Sequence, residues 1–163
     1  MAVIVPVCHP CGVDIRRARP SDYLRLQEIE VRAGELFRSV GLDAVADDDP
    51  FTIEELAVAD VWVAVVDGGV VAYALTMVLD GVTHVEQLSV DPAFGGQGFG
   101  RALLDHLGSP LTLTTFRDVP WNGPYYARLG FRVVDDPGPE LAAQLHHEAW
   151  LEDLGPRIAM RRG

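Results

Sequence analysis

The chain has 163 residues, 48% of them hydrophobic, which suffices for one domain with a sizeable core. Its formal net charge of −11 argues against the basic face on which nucleic acid docks, and it favours cationic over anionic ligands at long range. An anionic ligand must therefore be held locally, by main-chain N–H groups and one or two arginines, because nearby dipoles outweigh distant screened charges.

Residues 1–12 read as an N-terminal extension and 13–163 as one domain. The first residues carry no basic segment and too short an apolar run for a signal peptide. No stretch approaches membrane-spanning length, so the expected setting is the cytoplasm, away from membranes. Cys8 and Cys11 stand in a Cys-x-x-Cys spacing without a second pair; the expectation is incidental thiols and no metal site.

Residues 13–18 are a strand candidate, stopped by Pro20. Ser21 stands where an N-cap belongs, ahead of a helical pattern through Leu24, Leu26, Ile29, Val31 and Ala33. Residues 37–49 are expected to be looser. Their run Asp47-Asp48-Asp49 reads as solvated loop, with a cation-attracting rim as the other reading. Thr52 caps a second helix that runs to residue 59, with Glu55 in the capping-box position. Two β-branched runs, 61–66 and 70–78, flank Asp67-Gly68-Gly69 and predict a hairpin. Asp80-Gly81 turns the chain into a third strand, 82–90, which feeds a glycine-rich loop. Beyond the loop, Phe99, Leu103, Leu104 and Leu107 lie on one face of a helix ended by Gly108-Ser109-Pro110. A strand at 111–115, a short helix at 122–129, a strand at 131–134, a helical extension at 139–154 and a strand at 157–161 complete the chain. Hairpins on one side of a β-α-β unit predict an α/β (α+β) fold, a mixed sheet with helices packed on it.

The glycine-rich loop carries the clearest chemistry. A strand, then Gly95-Gly96-Gln97-Gly98-Phe99-Gly100, then a helix puts free N–H groups at the positive end of a helix dipole, a natural seat for phosphate. The glycines let the main chain approach a ligand closely. A nucleotide P-loop is disfavoured because Arg101-Ala102 stands where lysine and a hydroxyl are needed, which leaves no magnesium ligand; an NTP-binding role stays as the third reading that this absence argues against. The dinucleotide fingerprint Gly-x-Gly-x-x-Gly finds no frame, since the sixth position falls on Arg101 or Leu103. A coenzyme A pyrophosphate loop fits better.

The segment from Val90-Asp91-Pro92 through Gly96-Gln97-Gly98-Phe99-Gly100-Arg101 resembles the cofactor-binding motif of the GNAT family of N-acetyltransferases, Gln/Arg-x-x-Gly-x-Gly/Ala. The two final glycines fall on Gly98 and Gly100. The Gln/Arg position falls on Gly95, a departure that leaves phosphate binding to main-chain N–H groups and Arg101. Asn122-Gly123-Pro124-Tyr125-Tyr126-Ala127-Arg128-Leu129-Gly130-Phe131 resembles the family's Asn…Tyr-x-x-x-Gly-Phe segment, which closes over the pantetheine arm. The two motifs stand in the family's order, one strand apart, and the strand order of residues 13–162 matches the family domain. The resemblance implies a GNAT-type mixed, mostly antiparallel twisted sheet with helices on both faces, and acetyl-CoA as the cofactor. It implies an N-acetyltransferase that moves acetyl to a primary amine of a small molecule or peptide by direct attack in a ternary complex. Members of the family often form homodimers.

Residue by residue, the resemblance places Leu88, Ser89 and Val90 against the pantetheine amides through their main chain. It places Gly95, Gly96, Gln97, Gly98, Gly100 and Arg101 at the pyrophosphate, and Asn122 and Tyr125 along the arm. Tyr126 falls near the sulfur, where a phenol (pKa about 10) can protonate a departing thiolate whose thiol titrates near ~8.5. The other reading of Tyr126 is a core aromatic. Glu86 lies on the strand entering the loop, where a carboxylate takes the amine proton in many members; alternatively it is an ordinary outward residue. His84 could assist or be structural, and His146 and His147 are expected on the surface of the last helix. The acceptor pocket is implied between the first helices, around Glu30, Phe37 and Arg38. The rival class is a non-catalytic acyl-CoA-binding or sensor module of the same fold, with which the Gly95 departure is compatible.

Overall fold

A computed structural model of the chain describes residues 13–163; the expected extension 1–12, with Cys8 and Cys11, lies outside the described residues. The strands are β1 (Asp14–Arg17), β2 (Asp60–Val66), β3 (Gly69–Leu79), β4 (Val82–Val90), β5 (Leu111–Phe116), β6 (Arg132–Val133) and β7 (Arg157–Arg162). The helices are α1 (Tyr23–Gly34), α2 (Asp43–Ala46), α3 (Ile53–Val58), α4 (Phe99–Leu107), α5 (Gly123–Arg128) and α6 (Pro139–His147).

Two Asp-Gly turns build the first half of the sheet. Asp67-Gly68 and Asp80-Gly81 all have positive φ, the geometry whose twist matches two antiparallel strands. They fold β2, β3 and β4 into a meander, with β1 antiparallel to β2 at its edge. β4 and β5 are the parallel pair, and α4 makes the crossover between them. The seven strands run β1-β2-β3-β4-β5-β7-β6, so the C-terminal strand enters between β5 and β6. The sheet is mixed and mostly antiparallel, as expected.

Alternation along β3 feeds a core on each face. Tyr73 and Leu75 join Leu26 and Ile29 of α1 and Leu56 of α3, whereas Ala72 and Ala74 join Phe99 and Leu103 of α4. Leu104 turns from α4 to a third cluster with Val85, Leu111, Leu113, Tyr126, Phe131 and Met160. Helices therefore cover both faces. Thr52 caps α3 with the reciprocal Glu55 bond, as its spacing predicts.

Several boundaries differ from the sequence reading. Ser21 is not an N-cap: it sits inside a 3-10 turn, Pro20–Asp22, whose entry is held by the Asp22 carboxylate accepting from the Arg19 N–H and from Arg16 at 2.7 Å each. Residues 37–49 are largely ordered, with a 3-10 helix Glu35–Val40 ahead of α2. The last helical extension divides into α6 and a 3-10 turn, Ala149–Asp153, and β6 is only two residues long. No helix among the described residues is long and apolar enough to cross a membrane.

One buried carboxylate ties the two halves together. Asp91, immediately after β4, is buried and accepts from Arg25 at 2.5 Å, while Arg32 lies 3.1 Å away; both arginines stand on α1. Its other role is to cap the turn Pro92–Phe94 through the Ala93 N–H at 2.9 Å. Burial pushes the Asp91 pKa up, but the Ala93 N–H and the two arginines outweigh it and hold the carboxyl below its ordinary value. Asp91→Asn is expected to lose about 2–4 kcal/mol in urea denaturation near neutral pH, because a desolvated charge pair is broken. A folded-state pKa below the unfolded one stabilises above the unfolded value near ~3.9 and is lost as pH falls through the folded value, so the gap between wild type and variant should close there.

Candidate functional site

The site begins with an extra residue in β4. The register with β3 pairs Leu75 with Gln87 and Thr76 with Val85, which leaves Glu86 as the bulged residue. A bulge bends its strand and re-aims a side chain. On the other edge of β4 the pairing with β5 stops at Val85 opposite Leu113. Past that point β4 stays with β3 and β5 stays with β7, so the two parallel strands part. Main-chain groups from Glu86 to Val90 face the gap without a strand beside them.

A cleft of about 1060 Å³ opens there. Glu86, Leu88, Ser89, Val90, Gly95, Gly96, Gln97, Gly98, Gly100, Arg101, Asn122, Tyr125 and Tyr126 all line it, so the sequence-expected set converges on one cavity. Leu88 reaches this wall with its side chain packed into the core clusters beneath. At the glycine end, Gly98 takes φ +86° as the N-cap of α4 and offers no side-chain cap. The first N–H groups of α4 thus remain open to a ligand. Gly100 also makes a close approach: a Cβ there would lie 2.8 Å from the Tyr125 hydroxyl, so the end of that side chain would have to shift to admit it. Arg101, half exposed, stands beside Asp105 at 3.6 Å on the same helix.

Tyr126 is buried, edge-on to Tyr125 at 5.3 Å and to Phe131 at 5.6 Å. Burial and the neighbouring Tyr125 raise its pKa, partly offset by Arg157, so the phenol keeps its proton. Asn122 precedes α5, and its carbonyl accepts from the Tyr126 N–H at 3.0 Å, fixing where that ring enters the cleft.

Glu86 is held from the opposite wall. Gln144 of α6 donates to its two oxygens at 3.0 and 3.3 Å, and also to Glu148 at 2.9 Å. Arg157 of β7 pairs with Glu148 at 2.6 Å, and Thr114 donates to the same carboxylate at 2.9 Å. Burial and Glu148 raise the Glu86 pKa, and Gln144, His147 and Arg157 pull it back in part. Gln144, Glu148 and Arg157 had no sequence signature; they come from C-terminal segments that only the sheet order brings here. Glu30, on α1, faces the cleft from the other side and accepts from the Tyr73 hydroxyl at 2.6 Å and the Phe51 N–H at 3.2 Å.

The structure corrects the implied acceptor set in one place. Glu30 and Phe37 line the cleft, but Arg38 does not: Glu35, Asp43 and Asp47 hold it on the outer surface. Asp47 is spent on that pair, while Asp48 and Asp49 line the cleft, so the acidic run is part rim and part surface ion pair. His146 and His147 are exposed, and His147 also reaches the rim. Among the described residues no group of three or more metal-ligating side chains is arranged to hold an ion.

Residues 57–133, from α3 to β6, match the family model described as the acetyltransferase (GNAT) domain. The fold is shared with solved acetyltransferases. The ribosomal-protein-S18-alanine N-acetyltransferase from Escherichia coli is 20% identical, with a TM-score of 0.62 over 92% of each chain. The PaiA N-acetyltransferase from Thermoplasma acidophilum, solved with coenzyme A, is 14% identical, with a TM-score of 0.67 over 93% of this chain and 99% of that one. Rv2747 from Mycobacterium tuberculosis, also solved with CoA, is 20% identical, with a TM-score of 0.65 over 91% and 98%. The GNAT resemblance read from the two motifs is borne out in family model and in fold.

The close approach at Gly100 makes a testable pair. Gly100→Ala is expected to lower stability by about 1–3 kcal/mol through overpacking against Tyr125. Tyr125→Phe removes the obstructing oxygen, so the double variant should recover most of the loss in thermal denaturation; equal losses with and without the hydroxyl would contradict the contact.

Proposed function

We propose that residues 13–163 form one acetyltransferase domain that moves acetyl from acetyl-CoA to a primary amine of a small molecule or peptide by direct attack. The observation that carries the reading is the parting of β4 and β5 beside the open N-terminus of α4. That arrangement offers unpaired main-chain groups for the amides of an extended arm and free N–H groups for its diphosphate. The expected cytoplasmic setting agrees with such a substrate supply.

When bound, acetyl-CoA supplies an acyl carbon activated as a thioester. The chain's own residues do the rest. Gly95, Gly96, Gln97, Gly98, Gly100 and Arg101 hold the diphosphate, and Leu88, Ser89 and Val90 align the arm with Asn122 and Tyr125 alongside it. Glu86 takes the proton that the amine nitrogen must lose as its bond to the acyl carbon forms. Its raised pKa suits a group that must accept a proton from an ammonium and release it again. Tyr126 gives its proton to the sulfur as the carbon–sulfur bond breaks, and the water-poor setting keeps that proton in place beforehand.

The acceptor is read as a cationic amine. Glu30, Asp48, Asp49, Glu86 and Glu148 line the cleft, whereas Arg157 is taken up by Glu148 and Arg101 lies at the glycine end. Glu30 and Glu86 are held by neutral donors, so an incoming ammonium can still pair with them. Thiol release measured across polyamines, basic and acidic amino acids and peptides should favour the cations, with the advantage shrinking at high salt. Calorimetry should show binding of CoA, and its absence in folded protein would sink the reading. Binding without thiol release from any amine would support the sensor alternative. Tyr126→Phe should lower turnover near neutral pH by about 10²–10⁴-fold with acetyl-CoA affinity nearly unchanged; unaltered turnover would remove Tyr126 from the acid role.

A further inference from the structure

One side chain beside the site is buried with an unmet need. His84 stands on β4 with none of its surface exposed, in register with Thr112 of β5, one pair before the strands part. Its Nδ1 lies 3.0 Å from the Thr112 hydroxyl. Its Nε2 is shielded from solvent and has no hydrogen-bond partner. A buried ring nitrogen left unpaired is unfavourable. The Glu86 carboxylate oxygen Oε2 lies 3.6 Å from it, at the bulge two residues further along the same strand.

We propose that His84 is a positioning residue for Glu86: Thr112 fixes the imidazole in the Nε2–H form, and that N–H holds and tunes the Glu86 carboxylate from the strand side. This rests on the reading of Glu86 as the proton acceptor. One arrangement satisfies all three groups. The Thr112 hydroxyl donates to Nδ1, and Nε2–H donates to an ionised Glu86 after a small side-chain rotation. The opposite tautomer sets a nitrogen lone pair against a carboxylate oxygen. Burial lowers the His84 pKa to about 4, so the ring stays neutral around pH 7 and offers Glu86 a hydrogen bond rather than a counter-charge.

The carboxylate is then gripped from two sides. Gln144 donates from α6, and His84 donates from β4. The charged groups facing it are Glu148, which opposes its ionisation, and His147 and Arg157, which favour it. Glu148 is also the charged group acting on His84. A histidine that merely filled space between β4 and β5 would have no reason to prefer either tautomer or to affect the titration of Glu86.

Wild-type protein labelled with ¹⁵N answers the first question without any variant. Long-range ¹H–¹⁵N spectra near neutral pH should show His84 protonated at Nε2; a protonated Nδ1 would overturn the inference. The second readout is the Glu86 side-chain ¹³C titration. His84→Leu should move its midpoint up by about one pH unit, the effect of losing one hydrogen bond to a charged group, and His84→Gln, which keeps an N–H at the same reach, should bring it back. An unmoved midpoint in folded His84→Leu overturns the proposal. Glu86→Gln, assayed by thiol release with acetyl-CoA and spermidine, is read separately. Undiminished release there overturns the base reading, and with it the catalytic meaning of the contact, whatever tautomer His84 adopts.

Discussion

The separation of β4 from β5 is the constraint on which the rest depends. A parallel pair normally keeps evenly spaced hydrogen bonds along its length. Here the pairs run from Thr83 to Val85 on one side and Leu111 to Leu113 on the other, and then stop. Each strand still has a partner on its outer edge, β3 for β4 and β7 for β5, so the gap does not unravel the sheet. The outer partners supply the stability, and the inner edges are left with donors and acceptors to spend on a ligand. α4 crosses from one strand to the other, which sets its N-terminus at the mouth of the gap.

Charge is arranged along the cleft in the order such a ligand needs. At the glycine end the attraction comes from oriented N–H groups and Arg101, which act at contact distance in spite of a chain with net charge −11. Toward α1 and α6 the lining turns acidic. Glu30 and Glu86 are half-buried there, and each is hydrogen-bonded by uncharged donors rather than neutralised by a cation. Burial raises both pKa values, so each is more ready to hold a proton than a surface glutamate. Asp91 shows the contrasting solution. It is less exposed than either but is paired with two arginines and an N–H, stays ionised, and works as an anchor for the loop.

Much of this was legible in the sequence, for physical reasons that are local. Asp-Gly turns require positive φ, so both hairpins could be read directly from residues 67–68 and 80–81. The apolar face of α4 and the Thr52–Glu55 cap are likewise written within single turns of helix. The glycine loop and the Asn122–Phe131 segment carry close-approach requirements that few residues meet. What escaped was non-local. A bulge at Glu86 leaves no mark in His84-Val85-Glu86-Gln87, which reads as plain alternation. The entry of β7 between β5 and β6 depends on pairing across the chain, and with it comes Arg157. Arg38 looked like a pocket residue only until its three carboxylate partners were in view.

Those non-local elements converge on Glu86, a residue whose chemistry the sequence left undecided. Glu86 on an unbulged strand would follow the pleat, and its ionisation would be set by its neighbours on β3 and β5. The bulge turns it instead toward α6 and β7, where Gln144, Glu148 and Arg157 form a continuous chain of hydrogen bonds and ion pairs. Arg157 acts electrostatically on both Glu86 and Tyr126, favouring the ionised form of each and moderating what burial does to them. A single guanidinium thus biases both groups read here as proton acceptor and proton donor. The two are kept out of water by the same wall, and both titrate above their ordinary values. On the proposed reading, amine acylation needs a carboxylate that can take up a proton and release it again, and a phenol that keeps its proton until the sulfur departs. The C-terminal strand, whose place in the sheet the sequence does not mark, is then as much a part of the site as the glycine loop.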